Sequence, residues 1–550
     1  MKKYFFFILL FLSSFFAKGQ NFNSSATQAQ PSLEDLFSYG VKWDESSSTP
    51  GKPAILRVGN PQLAISLPVQ NKMRRCVVRD DFSVNYYLNP TNSWNKAEVA
   101  PYVTAKNPSS ISGGPNSIIS TGSFADTTLK VGMAVKNVTQ GTYAIITTIH
   151  NSDSVSISIP MPSTDRTWGT ADGTTSGHLI HSGINYSSLG VVNGDVVFNQ
   201  TDNTYAIVTN VATGDLTINA NIMASGEKYL IIKRFIETTD VFEICTARLT
   251  GADGQVMVEY AKYYFKYKKV GTVHEWRISE IPLPGFEIYP AFIVGGVTKE
   301  TRLFGAYEGY LNSTKLESSA GFLATTNKTR AQYRGYAVAR ATGWHQESYL
   351  ERSALQLLYL VEYASWYSQS VIGAGASDWA SATWNSYNAY NPVNYTGISN
   401  AKGNATFNVS NGDGKRNSFM TYRGVENFFG YLWKFCDGIN IYAQKVYICN
   451  TPSSFADDTK TGYLNIGITL PATNGYQSTL AGTKYGFLPS AVTGDFNTYI
   501  TDYYWQSTGW RVLLSGGCLY FGALGGLAAF DANGDSSGAL GKFGSRLCGN

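Results

Sequence analysis

Short apolar runs separated by Gly, Pro, Asn and Asp dominate the hydrophobic pattern of this 550-residue chain. Residues 39–104 hold several such runs, and residues 233–292 hold more, with Pro282, Pro284 and Pro290 between extended pieces. Runs of this kind, bounded by turn-forming residues, are typical of β-strands. The pattern therefore predicts a mainly β protein built from many short strands.

One stretch shows helical rather than strand periodicity. Residues 348–373 place apolar side chains at three- and four-residue spacings, which is the repeat of one helix face. The spacing predicts one long helix, so we expect an α+β fold class that is mainly β with one long helix. The residues at these spacings are Leu350, Ala354, Leu357, Leu358, Val361 and Ala364.

Residues 105–232 differ in composition from the sequence on either side, because Ser, Thr, Gly, Asn and Val are frequent and aromatic residues are rare. Within this stretch, residues 131–149 (VGMAVKNVTQGTYAIITTI) align with residues 193–211 (NGDVVFNQTDNTYAIVTNV). Such an internal duplication predicts two small β units packed together. We expect these units to form an inserted spacer or docking domain.

Composition excludes several classes of protein. The chain has 54 Gly, 36 Tyr, 29 Phe and 11 Trp but only 15% charged residues, so it is too apolar and aromatic for a disordered chain. The net charge is +4 and no basic run occurs, so no nucleic-acid partner is expected. Tyr, Trp, Asn and Gly instead favour surfaces that bind sugars or proteins.

The N-terminus carries an export pattern. Residues 1–19 begin with two lysines after Met1, continue with an apolar run from Tyr4 to Leu12 and have small residues near the end. This pattern predicts a signal peptide over 1–19, cleaved before Gln20, and a flexible leader over 20–38. An apolar strand or a membrane anchor is the alternative, although the run is short for a spanning helix.

The cysteines leave two interpretations open. Their wide spacing permits up to three disulfides in an exported chain, and buried free thiols are the equal alternative. No CxxC pair indicates a zinc site. The six residues are Cys76, Cys245, Cys436, Cys449, Cys518 and Cys548.

No catalytic or metal-binding pattern is present. None of the five histidines has HExxH spacing, no G-x-S-x-G elbow surrounds the Gly-rich turns, and no convergent pair of carboxylates is visible. The sequence therefore predicts no enzyme activity, no metal and no cofactor. Arg423 and Glu426 are expected to pair as part of the scaffold, with Trp433 and Phe435 in the core.

The last residues, 509–550, are dense in glycine. Each Gly costs about 1 kcal/mol in a helix interior, whereas Gly suits turns that need positive φ. The segment starts at Gly509-Trp510-Arg511-Val512, and Arg546 is one of its few large polar residues. We expect terminal β-hairpins that display side chains.

Several phrases resemble tailed-phage virion proteins with a C-type-lectin-like (formylglycine-generating-enzyme-like) domain. The resemblance covers 39–104 and 233–550, and it implies one discontinuous lectin-like module with an inserted tandem of small β units at 105–232. The matching phrases are YGVKWD (39–44), RVGN (57–60), LPVQNKMRRC (67–76), ADGQVMVEYAKYYFKY (252–267), LPGFEIYPAF (283–292), GAYEG (305–309), SQSVIGAG (368–375) and YRGVENFFGYLWKFCDGINI (422–441).

The C-terminus is similar to the variable segment of phage and bacterial proteins diversified by retroelements. The resemblance places a first strand at 509–512, a turn at Gly516-Gly517, a display stretch at 518–540 and a closing strand at 544–547. It implies a fixed backbone whose exposed side chains meet a receptor. It also implies a homo-oligomer, often a trimer, that assembles with other virion proteins.

Receptor binding is predicted for exposed rings and polar groups in two regions, 374–400 and the tip of the display stretch. Rings of this kind bind by stacking on sugars or by burial in a protein interface. The alternative is that they only pack the long loops. The predicted residues are Trp379, Trp384, Tyr387, Tyr390, Leu519, Tyr520, Phe521, Phe530, Asp531 and Asn533.

We therefore expect a non-enzymatic phage protein on the virion surface, tail or fibre that recognises a host or environmental receptor, either a glycan or a protein. A bacterially encoded adhesin, secreted or displayed on the cell surface, is the alternative. The signal peptide favours the adhesin, because most virion proteins assemble in the cytoplasm without export signals. A carbohydrate-active enzyme is disfavoured by the missing carboxylate pair.

Overall fold

A computed structural model describes residues 31–44, 55–101, 103–110, 117–202, 204–377, 394–410, 417–495 and 500–550. The predicted signal peptide at 1–19 lies outside the described residues, as does the first part of the predicted leader. Among the helices of the described part, none has the length and apolar character needed to cross a bilayer.

The first described region contains two short helices and four strands. Asn60 caps the second helix, because its side chain accepts a hydrogen bond from the Gln62 amide at 2.9 Å, and Pro61 occupies the first turn. The elements are α1 (Leu33–Phe37), β1 (Tyr39–Asp44), β2 (Leu56–Gly59), α2 (Pro61–Ser66), β3 (Arg74–Val78) and β4 (Val84–Tyr87).

The next region is mainly β, with a short 3₁₀-helix at Ser187–Leu189. Its strands are β5 (Val103–Lys106), β6 (Ser117–Ile119), β7 (Met133–Asn137), β8 (Thr142–Asn151), β9 (Ser154–Ile157), β10 (Asp165–Thr170), β11 (His178–Ile180), β12 (Val196–Asn199), β13 (Thr204–Ala212), β14 (Asp215–Ile218), β15 (Lys228–Ile232) and β16 (Phe242–Arg248).

These strands form two six-stranded sheets with matching strand orders. The first sheet runs β5-β16-β7-β8-β9-β6 and the second β10-β15-β12-β13-β14-β11. The duplicated segments occupy equivalent places, because β7 and β8 form a hairpin in the first sheet as β12 and β13 do in the second. The first sheet also takes in β16, which lies beyond residue 232 and pairs directly with the entering strand β5.

The central region carries most of the helices. Its elements are β17 (Gln255–Ala261), β18 (Tyr264–Val270), β19 (Val273–Ser279), β20 (Glu287–Ile288), β21 (Ile293–Val294), β22 (Val297–Thr298), β23 (Thr301–Gly305), β24 (Tyr310–Asn312), β25 (Lys315–Glu317), α3 (Arg330–Val338), β26 (His345–Gln346), α4 (Tyr349–Tyr363) and α5 (Ser368–Val371).

The last region is again β. Its strands are β27 (Phe407–Val409), β28 (Phe419–Tyr422), β29 (Val425–Glu426), β30 (Trp433–Tyr442), β31 (Lys445–Ile448), β32 (Leu464–Thr469), β33 (Gly475–Tyr476), β34 (Thr479–Thr483), β35 (Gly486–Ala491), β36 (Tyr503–Gln506), β37 (Trp510–Ser515), β38 (Phe530–Ala532), β39 (Phe543–Gly544) and β40 (Leu547–Gly549).

Sequence from both sides of the insert shares the same sheets. A five-stranded sheet runs β2-β1-β19-β18-β20, and a six-stranded sheet runs β26-β40-β23-β17-β3-β4. The final strand of the chain, β40, lies between β26 and β23, in the same sheet as β3 and β4 from the first hundred residues. The largest sheet, β32-β31-β30-β37-β38-β36-β33, belongs to the C-terminal half alone.

The predicted fold class is wrong in its helical part. The apolar spacing over 348–373 forms only the 15-residue helix α4, which ends where Ala364 adopts a left-handed conformation at φ 51°. The chain turns there because the Trp366 ring packs edge-on against Trp43 and Phe487, at centroid distances of 5.2 and 4.8 Å. The protein is mostly β without a long helix. The correction extends to the lectin-like α+β domain implied by the resemblance, because the described strands divide among several separate sheets.

Helix α4 lies inside the core. Thirteen of its fifteen residues are buried, including the charged Glu351 and Arg352, so the helix is enclosed on nearly all sides. Beside it, the buried Trp43 ring stacks on Trp276 at 4.0 Å between centroids, which connects β1 to β19 through side chains as well as backbone. Packing of these large rings is the main source of core stability in this region.

Two further expectations from the sequence are settled. All six cysteines are buried free thiols, which answers the open choice against disulfides; burial raises the pKa of Cys245 to about 12.

The predicted Arg423–Glu426 pair is wrong. Arg423 instead pairs with Glu362 at 2.6 and 2.8 Å, and the Glu426 carboxylate accepts hydrogen bonds from the Gly397 and Ser399 amides.

A buried ionic cluster fixes the start of α4. The Glu351 carboxylate lies 2.5 Å from an Arg302 guanidinium nitrogen and 3.1 Å from His345 Nε2, and it accepts a hydrogen bond from Ser348 Oγ at 2.8 Å. Burial by itself raises the pKa of Glu351. The charges of His345 and Arg302 and the hydrogen bonds outweigh burial and bring that pKa down to about 2.

We expect Glu351→Gln to lower the free energy of unfolding by about 3–5 kcal/mol, because the Arg302 charge would remain buried without its carboxylate. Denaturant unfolding at neutral pH measures this loss. In the unmodified protein, the stability due to Glu351 is present above its ordinary pKa of 4.5 and is lost as the pH falls toward 2. The variant should show a flatter pH dependence across that window.

Glu300→Gln is the matched control, because Glu300 pairs with Lys262 while its side chain stays 79% exposed. Exposed pairs contribute little, so this variant should unfold like the original chain. Equal stability of the two variants would contradict the role given to Glu351.

Candidate functional site

The C-terminal segment is built into two sheets. β37 pairs with β30, the Gly516-Gly517 turn follows, and β38 returns beside β37 and β36. β39 then pairs with β30, and β40 crosses to the six-stranded sheet. The loop between β37 and β38 is therefore supported at both ends by paired strands.

The closing strand predicted at 544–547 is divided between β39 and β40, and Arg546 holds the link between them inside the core. Its guanidinium donates hydrogen bonds to the carbonyl oxygens of Gly305, Glu426 and Asn427, at 3.1, 2.7 and 3.2 Å. Its Nη2 also lies 3.7 Å from a carboxylate oxygen of Glu308. Its Nε lies 3.9 Å from a carboxylate oxygen of Glu347. The side chain is fully buried, so its charge is balanced by protein groups and not by water.

Further buried charges surround Arg546. Glu308 also pairs with Lys434 at 3.1 Å, and Glu347 pairs with Arg352. Burial lowers the pKa of Lys434 to about 8, although the charge of Glu308 opposes that shift. These groups come from four separate parts of the chain and meet beneath the C-terminal strands.

The end of the loop between β37 and β38 is held by side chains. Both backbone polar groups of Leu527 and of Ala528 have a buried side-chain partner, at distances of 2.6–2.9 Å. This arrangement fixes the path of the backbone into β38. The partners are Ser368, Gln356, Asp502 and Gln477.

Asp502 is the charged member of that set. It is fully buried and accepts the Ala528 N–H at 2.6 Å. Burial raises the pKa of Asp502 well above its usual value, while the hydrogen bond from Ala528 acts in the opposite direction. Because the Asp502 carboxylate is inaccessible to solvent and is bonded to the Ala528 amide, its role is to position the backbone rather than to react.

A row of partly exposed rings runs across the edge of the same sheet. Successive ring centroids lie 5.1, 4.6, 4.5 and 6.1 Å apart. The side chain at the end of the row, Tyr520, is 46% exposed, and the other four are half-buried. We call this row the aromatic ridge; its members in order are Tyr476, Tyr503, Trp505, Phe521 and Tyr520.

The aromatic ridge rests on a buried ring. Trp433 has no exposed surface, and its centroid lies 5.5 Å from those of Trp505 and Phe521, edge to face in the first case. The half-buried rings of Trp505 and Phe521 are therefore fixed from below while their outer parts face solvent. Large rings held in this way bind partners with little loss of side-chain entropy.

The structure divides the predicted tip residues into two groups. Tyr520 and Asn533 are exposed and Phe521 is half-buried. Leu519, Phe530 and Asp531 are buried, because Phe530 and Asp531 lie in β38 between two strands, and a receptor does not reach them in this conformation. The other predicted residues lie outside the described part of the chain: Trp379, Trp384, Tyr387 and Tyr390.

The described residues on both sides of 378–393 border the tip, which is the loop between β37 and β38. Gln369 donates hydrogen bonds to Ser377 Oγ and to the carbonyl oxygens of Gly522 and Gly525. At the other side, the Asn394 amide donates to the Tyr431 hydroxyl, and the Tyr431 carbonyl accepts from the Leu519 amide. The two sequence regions predicted for binding therefore start from neighbouring places in the fold.

Sequence reasoning missed three members of the aromatic ridge, namely Tyr476, Tyr503 and Trp505. The signal for two of them was available, because alternation in Tyr503-Tyr504-Trp505 places Tyr503 and Trp505 on one face and the buried Tyr504 on the other. Their approach to Phe521 depends on pairing between β36 and β38, which sequence alone did not indicate.

Two further features concern ions. Within the described residues, no group of three or more His, Cys, Asp or Glu side chains is arranged to hold a metal ion. A polar recess between α1 and the five-stranded sheet contains charges that neutralise one another, with Lys266 2.6 Å from Glu34 and Arg277 2.7 Å from Asp35. These four charges are therefore paired within the chain.

Comparison with known proteins gives matches among solved structures alone. No protein-family model and no curated protein matches the chain. Among solved structures, the chain is similar to the "Major Tropism Determinant U1 Variant" with 11% sequence identity and a TM-score of 0.21, over 78% of this chain and 97% of that one. A TM-score this low does not establish a common fold.

We expect Gly517→Ala to destabilise the base of the tip. Gly517 has φ 77°, and a Cβ there would meet Gly525 Cα at 2.7 Å. The left-handed conformation alone costs an L-residue about 1–2 kcal/mol, and the backbone contact adds to that cost. Gly522→Ala is the control, because Gly522 also has positive φ but open space around it. Thermal unfolding should rank Gly517→Ala below Gly522→Ala; equal values would exclude the close contact.

Proposed function

We propose that this chain is a receptor-binding protein of a phage particle, located on the virion surface, tail or fibre, and that it acts by binding rather than by catalysis. Its receptor is a glycan or protein of a host or of the environment. This proposal rests on the aromatic ridge, a row of five rings that are partly open to solvent and supported by the buried Trp433.

The ridge suits recognition because its rings are both exposed and preorganised. Aromatic side chains bury large apolar areas, and Tyr adds a hydroxyl for hydrogen bonding. Interface hot spots are enriched in Tyr and Trp for these reasons. Its five members carry no formal charge at neutral pH, so the receptor face that it contacts is expected to be uncharged, as a sugar face or an apolar protein patch is.

The resemblance to tailed-phage virion proteins supports the location and the assembly. We propose that the chain forms a homo-oligomer, with a trimer as the expected form, and contacts other virion proteins. Light scattering of the purified full chain measures the oligomer mass directly.

We expect Trp505→Ala and Tyr520→Ala to reduce receptor binding by about tenfold or more each, since truncation of a hot-spot ring costs about 2 kcal/mol. Binding of the full chain to a glycan array and to a panel of intact bacterial cells measures the effect. Tyr520 is the cleaner test, because its exposed ring contributes little to the core.

Tyr264→Ala is the matched control. Tyr264 is a half-buried ring on β18, in a different sheet from the ridge. It should leave binding unchanged, while thermal unfolding verifies that all three variants fold. Binding that survives both ridge substitutions would remove the ridge from the receptor site.

The second candidate is a bacterially encoded adhesin, secreted or on the cell surface, and the signal-peptide pattern over 1–19 favours it. Mass spectrometry of purified phage particles and of bacterial surface fractions separates the two. Absence from particles together with presence on cells would exclude the virion assignment. A mature N-terminus at Gln20 would show processing by export machinery.

A further inference from the structure

A second group of rings lies on the large sheet, apart from the aromatic ridge. Tyr442 ends β30 and Trp510 begins β37, and these two residues face each other across the strand pair. Their ring centroids lie 4.7 Å apart at an angle of 44°. Tyr447 on the neighbouring strand β31 completes the group, which we call the Tyr442 cage.

A lysine of the same chain occupies this cage. The Lys460 ammonium lies 4.1 Å from the ring centroid of Tyr442, 5.4 Å from that of Tyr447 and 5.9 Å from that of Trp510. All three distances are within the range of cation–π attraction. The three rings therefore have a geometry that accepts an ammonium group.

The Lys460 backbone is fixed beside the cage. The Lys460 carbonyl accepts the Tyr463 N–H at 3.1 Å, and the preceding carbonyl, that of Thr459, accepts from the Asn440 side chain at 3.0 Å. Among the ion pairs of the described residues, Lys460 takes part in none. Its side chain is thus positioned over the rings by a fixed backbone and attracted there by the rings themselves.

The lysine is a weakly held occupant. Lys460 and Tyr442 are both exposed, and cation–π attraction is small at exposed sites because water also solvates the ammonium. An organic cation with alkyl groups on nitrogen loses less hydration and gains apolar contact with the same rings. Such a cation is able to replace the lysine side chain, which then returns to solvent.

We propose that Tyr442, Tyr447 and Trp510 form a binding site for organic ammonium groups, and that Lys460 occupies this site in the unbound protein. The site is separate from the aromatic ridge, with which it shares no residue. It gives the chain a second point of contact, specific for a cationic group where the ridge is specific for an uncharged face.

The distinguishing expectation is that loss of Lys460 strengthens binding. We use choline chloride as the probe with the full-length chain and detect the choline methyl protons by ligand-observed NMR at constant ionic strength. Lys460→Ala should bind choline about two- to fivefold more tightly than the unmodified chain, because it removes the internal competitor. Lys460→Ala combined with Trp510→Leu should lose that binding.

Two controls separate the cage from general effects. The neutral isostere 3,3-dimethylbutan-1-ol has the shape of choline without its charge and should not bind, since cation–π attraction requires the charge. Tyr264→Leu combined with Lys460→Ala changes a ring in another sheet and should keep choline binding. Thermal unfolding verifies each variant, and Tyr442→Leu replaces Trp510→Leu if the latter fails to fold.

The proposal would be overturned if choline bound equally to the unmodified chain, to Lys460→Ala and to the double variant with Trp510→Leu. It would also be overturned if Lys460→Ala did not bind choline. Binding of the neutral isostere as tightly as choline would show an apolar pocket rather than a cation site and would overturn it too. None of these outcomes bears on the ridge, which the Tyr520→Ala experiment tests separately.

Discussion

The buried guanidinium of Arg546 is the interaction on which the C-terminal half depends. It joins the link between β39 and β40 to the backbone of Gly305 and of the adjacent residues Glu426 and Asn427, two places far apart in sequence. Because the side chain has no access to water, each of these hydrogen bonds replaces solvation that the ion lost on folding. A different arrangement of these segments would leave the charge uncompensated, so the cluster specifies one arrangement rather than simply adding stability.

The buried groups that support the C-terminal sheet are different from the side chains that form its surface. Beneath the sheet, charged and polar side chains are buried and paired with backbone groups, as Asp502 is with Ala528. Above it, Trp505 and Tyr520 contact mainly other rings and solvent. Truncation of the exposed Tyr520 therefore changes mainly the surface, whereas Trp505 also packs on the buried Trp433. Substitution of Asp502 would remove a hydrogen bond that holds the backbone at Ala528. A recognition surface requires that division, because it must present different side chains on the same frame.

Sequence predicted what depends on local pattern and missed what depends on distant pairing. The short runs indicate strands, and the duplicated segments lie in equivalent hairpins. The predicted helix was too long because apolar spacing continues to Ala364. In the structure the chain turns there and buries Trp366 between elements that are distant in sequence, which no local pattern indicates. At the candidate site, Tyr520 could be named from its segment. The burial of Phe530 and the contribution of Trp505 both follow from β38 lying beside β36, which is a long-range pairing.

The two six-stranded sheets of the insert enter and leave through adjacent strands. β5 brings the chain in, β16 takes it out, and the two are hydrogen-bonded neighbours. The ends of the insert are thus held together by its own sheet, independently of how much chain lies between them. The units also contact the rest of the fold, since the Tyr143 ring stacks on Trp94 at 5.4 Å between centroids and the Ser163 carbonyl accepts a hydrogen bond from the Asn417 side chain at 2.7 Å. A change in the length of chain between β5 and β16 therefore leaves the entering and leaving strands adjacent, whereas a change at Tyr143 or Ser163 alters contacts with the remainder of the fold.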